Sequence, residues 1–129
     1  MIRTYGLTHV ALAVRDFDRS LRFYQTVFGV AEVYRNHTFM QVQTPGTRDV
    51  IVFEKKPDQA GQPGGVIHFG FRLQNPADID EAARKVVAGG GTIRSQGEFC
   101  PGEPFVYALD PDGYEVEIWF ELPTRFDPI

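Results

Sequence analysis

Apolar positions recur along the chain with two different periods, and the changes of period divide it into elements. From Leu7 to Val14, large apolar Val10, Leu12 and Val14 alternate with His9, Ala11 and Ala13, as expected of a strand with two unlike faces. A helical period follows: Asp16 is a suitable N-cap, Phe17, Leu21, Tyr24 and Phe28 share one side with Phe23 and Val27 beside them, and Gly29 supplies the stop. Three short strands are predicted next, near 31–35, 38–43 and 49–54, divided by the turn signals Asn36-His37 and Thr44-Pro45-Gly46.

The polar stretch 56–65, with two prolines and three glycines, reads as a linker, and after it the first pattern returns. From Val66 to Leu73, Phe69, Phe71 and Leu73 alternate with His68, Gly70 and Arg72. Asn75 and Pro76 open a second helix, Ile79, Ala82, Ala83, Val86 and Val87 form its apolar stripe, and Gly89-Gly90-Gly91 ends it. Strands are predicted near 92–95, 105–109 and 114–120. His68 lies 59 residues after His9, in the matching strand and on the matching face. The chain is thus an internal duplication of strand, helix, strand, strand, strand.

Modules of ~60 residues are marginal alone, so the pattern predicts one α+β domain in which two tandem βαβββ modules pair. Module one covers about 5–55, the linker 56–65, module two about 66–121 and a C-terminal tail 122–129. The expected arrangement is a curved mixed sheet with helices on the convex side. Val10, Leu12, Val14 and their counterparts then pack under the helices, and the face carrying His9 and His68 lines a hollow.

Composition narrows this further. A length of 129 residues, with 43% apolar and 23% charged, fits one globular domain that needs no metal merely to fold. One cysteine, Cys100, makes no intrachain bridge and favours a reducing compartment. No apolar run reaches the ~20 residues of a membrane span, and the first residues lack a signal-peptide core, so the expected location is the cytoplasm. A net charge of -4 without a basic block speaks against nucleic acid. The expected ligand is a small molecule, without nucleic acid or membrane as partner.

The last strand brings candidate chemistry to the hollow. After the turn signal Asp110-Pro111-Asp112-Gly113, Val116, Ile118 and Phe120 form an apolar face, leaving Glu115, Glu117 and Trp119 on the other. Two histidines and a carboxylate on one concave face can hold a divalent cation through three positions and leave the rest open, the logic of the facial triad. Burial of an unpaired carboxylate is costly, and a cation removes that cost.

These motifs resemble the vicinal oxygen chelate superfamily, which includes glyoxalase I, extradiol dioxygenases, fosfomycin-resistance enzymes and bleomycin-binding proteins. The resemblance rests on Leu7 to Val14, on Asp18 to Tyr24 with Phe28-Gly29, on Val66 to Phe71, and on Tyr107 to Glu117, essentially the whole chain. It implies His9, His68 and Glu117 as ligands of a divalent ion, Fe(II), Mn(II), Ni(II) or Zn(II). Glyoxalase I has a fourth ligand, a Glu on the last strand of its first module. Here that place falls on Val52, and Glu54 reaches it only if the register shifts by two. The three-ligand pattern leans toward dioxygenase-like chemistry on vicinal oxygens, with a glyoxalase-type isomerase or lyase as the alternative. A metal-free sequestering protein of the bleomycin-resistance kind is the alternative from another class. Tyr107 matches a pocket tyrosine of the fosfomycin branch, but Ala11 replaces its threonine and the loop 96–104 has no lysine for a phosphonate. Paired modules in this superfamily often assemble across two chains, so a homodimer with sites shared between subunits is expected.

Around these ligands, Phe39, Gln41, Arg72, Tyr107 and Trp119 are candidate substrate-pocket residues, with Arg72 able to steer an anion. Tyr107, Glu115, Glu54 and His37 are the candidates for acid/base work. Among them Glu115 reads as a rim charge and His37 as a solvated turn residue. Cys100 lies in a loop rich in Gly and Pro that can close over the hollow, without a neighbour to activate its thiol.

Overall fold

A computed structural model describes residues 1–128; residue 129, the end of the expected tail, lies outside the described residues. The elements follow the duplication: β1 (His9–Val14), α1 (Phe17–Phe28), β2 (Ala31–Arg35), β3 (Phe39–Gln43) and β4 (Val50–Lys55), then β5 (Phe69–Arg72), α2 (Ile79–Ala88), β6 (Thr92–Glu98), β7 (Pro104–Leu109) and β8 (Glu115–Trp119). Each module builds its own four-stranded mixed sheet, in the orders β1-β4-β3-β2 and β5-β8-β7-β6. β1 lies parallel to β4 and β5 parallel to β8, and the remaining pairs are antiparallel. The α+β class and the two modules are as expected, with the strands distributed over two sheets. β1 and β5 therefore each keep one edge without a strand partner among the described residues. Among these residues no helix is long and apolar enough to cross a membrane.

Capping explains the helix limits. The Asp16 side chain accepts from the Arg19 N–H at 2.9 Å, and Gly29 at φ 69° closes α1 in the left-handed conformation that glycine adopts without strain. Asn75 accepts from the Ala77 N–H at 3.0 Å and leads through a 3-10 turn into α2. The second helix buries Val86 and leaves Val87 exposed, so its stripe is narrower than expected. β5 is also shorter than its alternation. Val66 and Ile67 stay outside the ladder and exposed, because Gly64 and Gly65, both at positive φ, redirect the chain just before them. β6 runs on to Glu98 because it pairs with β7 as far as Pro104.

One contiguous core spans both modules, from Leu12, Val14, Met40 and Phe53 to Val86, Val106, Val116 and Ile118. The helix between them is α1, which has two buried faces. One packs Tyr24 against Phe53, and the other carries Ser20 and Phe23 toward module two. Gly91 makes the second contact possible, since a Cβ there would lie 2.5 Å from the Phe23 ring and 2.6 Å from the Leu109 carbonyl. Phe28 stacks on Phe71 at 3.7 Å between centroids.

A buried polar latch completes the junction. The Asp112 side chain has no solvent exposure, and it accepts from the Arg15 N–H and guanidinium, the Arg19 guanidinium at 2.8 Å and the Ser20 hydroxyl. Two residues earlier, Asp110 accepts from the Tyr24 hydroxyl at 2.8 Å. The Tyr114 hydroxyl donates to the Ala13 carbonyl at 2.8 Å. The turn Asp110-Pro111-Asp112-Gly113 thus does more than reverse the chain: it carries the carboxylates that fasten module two to α1.

Candidate metal centre

Strand alternation sets the residues of the more open face of each sheet. On β1 the more open positions are His9, Ala11 and Ala13, while Leu12 and Val14 are buried. In β4, Val52 lies opposite Ala11 and Glu54 opposite Ala13. β3 adds Phe39 and Gln41 to the same face, since Met40 and Val42 are the buried members. The second module repeats the layout. His68 stands just before β5, Glu117 lies opposite Gly70, and Trp119 opposite Arg72.

Superposing the two registers makes Val52 the counterpart of Glu117 and Glu54 the counterpart of Trp119. No slip of two carries Glu54 to the position of a fourth ligand; its carboxylate pairs with Lys56 at 3.2 Å. Module one offers a single metal-binding side chain of the expected set, His9.

In module two the expected residues converge. The His68 Nε2 lies 2.9 Å from a Glu117 carboxylate oxygen, and its Nδ1 lies 3.7 Å from Glu115. Both carboxylates are nearly buried, with side chains 13% and 10% exposed. Glu115 therefore differs from the rim charge expected of it: it pairs with Arg94 and faces the imidazole. At 3.7 Å the contact is an electrostatic one rather than a hydrogen bond, and the spacing of charges along β8 did not distinguish this from a solvated position.

Tyr107 sits edge-on to His68, 5.4 Å between ring centroids, and continues through Phe105 to Phe99 as a run of aromatic contacts. Desolvation raises the pKa of its hydroxyl, and the negative charges of Glu117 and Glu115 raise it further. The group therefore stays protonated and available as a donor across the neutral range. A cavity of about 610 Å³ opens here, lined by His68, Phe69, Gly70, Phe99, Glu103, Glu117, Trp119 and Glu121. Trp119 lies over Gly70, where a Cβ would meet its indole nitrogen at 3.2 Å.

The other candidates fall elsewhere. His9 is exposed at the free edge of module one and forms no cluster with His68 and Glu117; among the described residues no three His, Cys, Asp or Glu side chains of one chain gather closely enough to hold a metal ion. Phe39 and Gln41 share the face of His9, and His37 is exposed in the turn before β3. The thiol of Cys100 is exposed and donates to Glu103 at 3.1 Å, a contact that pushes its pKa up and keeps it unreactive. Arg72 faces the cavity side of module two, but its guanidinium is occupied by Asp127 and by backbone carbonyls.

As donors, His68 and Glu117 suit a divalent ion: an imidazole that solvent still reaches and a nearly buried carboxylate converge at hydrogen-bonding distance, with a second nearly buried carboxylate on the other side of the ring. They are two of the three residues expected from the sequence; the third, His9, is exposed on the other module and outside this pair.

Comparison with known proteins bears on the family and the fold. An uncharacterized protein of Pseudomonas aeruginosa, PA2024, is 31% identical over 127 residues, covering 91% of this chain and 89% of that one. Catechol-2,3-dioxygenase of Bacillus subtilis is 26% identical over 123 residues, or 90% of this chain, which spans only 42% of the dioxygenase. The fold of the fosfomycin resistance protein FosX from Listeria monocytogenes matches with a TM-score of 0.77 at 23% identity, over 95% of this chain and 96% of that one. Residues 6–118 match the model of the Glyoxalase/Bleomycin resistance protein/Dioxygenase superfamily, and the chain belongs to that superfamily.

Proposed function

We propose that this protein is a divalent-metal-dependent enzyme acting on a small substrate with two vicinal oxygens, and that its centre is completed between two copies of the chain. Members of the superfamily commonly use divalent metals. The observation that carries the reading is the separation of the ligand set. His68 and Glu117 meet at 2.9 Å beside the free edge of β5, while His9 stands exposed at the free edge of β1. Unpaired sheet edges are open to pairing with another chain, and apolar Leu7, Val66 and Ile67, exposed by 99%, 62% and 77%, flank these two edges. Edge-to-edge association of two copies covers these side chains and brings His9 of a second copy to His68 and Glu117.

When bound, the cation supplies a Lewis acid that steadies negative charge on the substrate oxygens. The chain's own residues supply the rest. Glu115 places a negative charge beside the His68 ring, Tyr107 keeps a proton ready for a substrate oxygen, and Phe99 and Trp119 form apolar walls of the cavity. A set of two histidines and one carboxylate favours dioxygenase-like chemistry, the activity named for the Bacillus subtilis relative. Val52 in the place of a fourth ligand leaves the glyoxalase-type isomerase or lyase second.

Metal analysis after anaerobic loading with Fe(II), Mn(II), Ni(II) or Zn(II) tests the reading, followed by oxygen uptake with a panel of catechols. The expected result is tight binding of one divalent ion per chain, weakened at least tenfold in His68→Ala. A protein that takes up no divalent ion, or a His68→Ala variant with unchanged metal content, overturns it.

A further inference from the structure

Beyond the candidate metal ligands, module two holds an arginine whose side-chain hydrogen bonds all go to one segment of the chain. The Arg72 guanidinium meets the Asp127 carboxylate fork to fork, Nη1 to Oδ1 at 3.1 Å and Nη2 to Oδ2 at 3.0 Å. Nη2 also donates to the carbonyls of Glu121 and Leu122 at 3.2 and 3.3 Å. Planar two-point pairing of this kind is how arginine recognises a carboxylate.

The segment 121–128 that delivers Asp127 is held almost entirely by polar contacts. Thr124 shapes its turn, donating from its N–H and hydroxyl to the Asp127 carboxylate at 3.1 Å each. The Leu122 N–H donates to Glu103 at 3.2 Å. Its large apolar side chains stay in solvent, Leu122 at 66% and Phe126 at 80% exposed, so lifting it uncovers little apolar surface. Few buried apolar contacts mark a region that opens at low cost.

Position makes the pair more than a surface ion bridge. Arg72 lies opposite Trp119 in the sheet, with its Cζ 5.8 Å from the indole ring, and Trp119 and Glu121 line the cavity that also holds His68 and Glu117. Both partners remain reachable, with side chains 31% and 28% exposed. The hydrogen bond from Arg72 keeps the Asp127 carboxyl below the usual carboxylate range, so it is an anion at neutral pH.

We propose that Arg72 is a carboxylate anchor for ligands of the cavity, and that Asp127 occupies it as an internal stand-in which a carboxylate-bearing ligand displaces, moving segment 121–128 aside. The chemical class assigned is thus a small carboxylic acid, bound by its carboxylate at Arg72 and by its apolar body against Trp119. An internal carboxylate on a short tether competes at a millimolar effective concentration, which keeps the anchor closed to weak anions. That this anchor serves the substrate of the metal centre rests on the proposed function; that it binds carboxylates does not.

The test uses full-length, metal-free protein titrated with benzoate, with the emission of Trp119, the sole tryptophan, as the readout. Failure of metal binding therefore leaves its outcome intact. Asp127→Asn, with its fold checked by circular dichroism, is expected to bind benzoate at least tenfold more tightly than the wild type. The double variant Arg72→Gln with Asp127→Asn is expected to lose that binding, and neutral benzamide to bind neither protein. Thr124→Ala, which loosens the segment without removing its charge, is expected to fall between, and saturating benzoate to speed amide exchange across 121–128 in the wild type. Equal benzoate affinity in wild type and Asp127→Asn, binding that survives Arg72→Gln, or no binding to any variant overturns the proposal.

Discussion

Replacing Asp110 by Asn should remove a pH dependence of stability whose size and sign follow from its surroundings. Asp110 is 4% exposed, and one carboxylate oxygen accepts from the N–H groups of Asp112, Gly113 and Tyr114 at 2.9, 3.0 and 3.0 Å. The other accepts from the Tyr24 hydroxyl at 2.8 Å. Burial pushes its pKa from 3.8 to about 6, helped by the charge of Asp112 and opposed by the hydrogen bonds from Tyr24 and the backbone. The native value lies above the unfolded one, so the native state binds this proton more tightly. The stabilisation is complete below the unfolded value of 3.8 and is lost as pH rises through about 6.

Between pH 7 and pH 5 this one group is worth about 1.4 kcal/mol, one pKa unit on the acid side of its native value. Asn at the same place keeps an oxygen for the three N–H donors and offers its amide to Tyr24, but it does not titrate. The other ionisable groups of the latch, Asp112, Arg15, Arg19, Tyr24 and Tyr114, are shared by both proteins, so the comparison isolates Asp110. Urea unfolding followed by circular dichroism at pH 5, 6, 7 and 8 measures it. The stability of the wild type relative to Asp110→Asn should rise by about 1.4 kcal/mol from pH 7 to pH 5 and stay level from pH 7 to pH 8. A difference that is flat from pH 5 to pH 7, or that falls on acidification, refutes the assignment of this proton to the latch.

Two further outcomes are expected. Asp112→Ala leaves the Ser20 hydroxyl without its acceptor and two arginines without their shared carboxylate, and should cost about 3 kcal/mol in urea unfolding at pH 7; a loss below about 0.5 kcal/mol, the level of an ordinary surface substitution, contradicts a latch at this turn. Val52→Glu places a carboxylate at the counterpart of Glu117 and should raise divalent-ion affinity roughly tenfold or more, as an added ligand does; unchanged affinity in calorimetric titration argues that Val52 does not face the assembled centre.

The sequence made some of this legible and concealed the rest for identifiable reasons. A period of two decides which face of a strand a residue takes, so His9, His68, Glu117 and Trp119 could be assigned to the faces opposite the buried positions from alternation and duplication alone. Alternation says nothing about which free edges meet, and the distance of His9 from its companions in one chain was therefore invisible. Ser20 and Phe23 lie off the main stripe of α1 because that helix packs against a second module, a contact made by residues far away in sequence. Glu115 looked like a rim charge because nothing local announces Arg94 or the imidazole as its neighbours. The Arg72–Asp127 clasp joins a strand to a segment with no period at all.

Mixing His9→Ala with Glu117→Ala subunits tests the shared centre most directly. Neither variant alone can assemble a complete ligand set, whereas a mixed dimer restores one set from His9 of one chain and His68 with Glu117 of the other. After subunit exchange, verified by mass spectrometry of the mixed species, an equal mixture should regain tight divalent-ion binding at about one ion per four chains, the share expected from random pairing of two-fold dimers. Verified exchange without any recovery of binding contradicts the account.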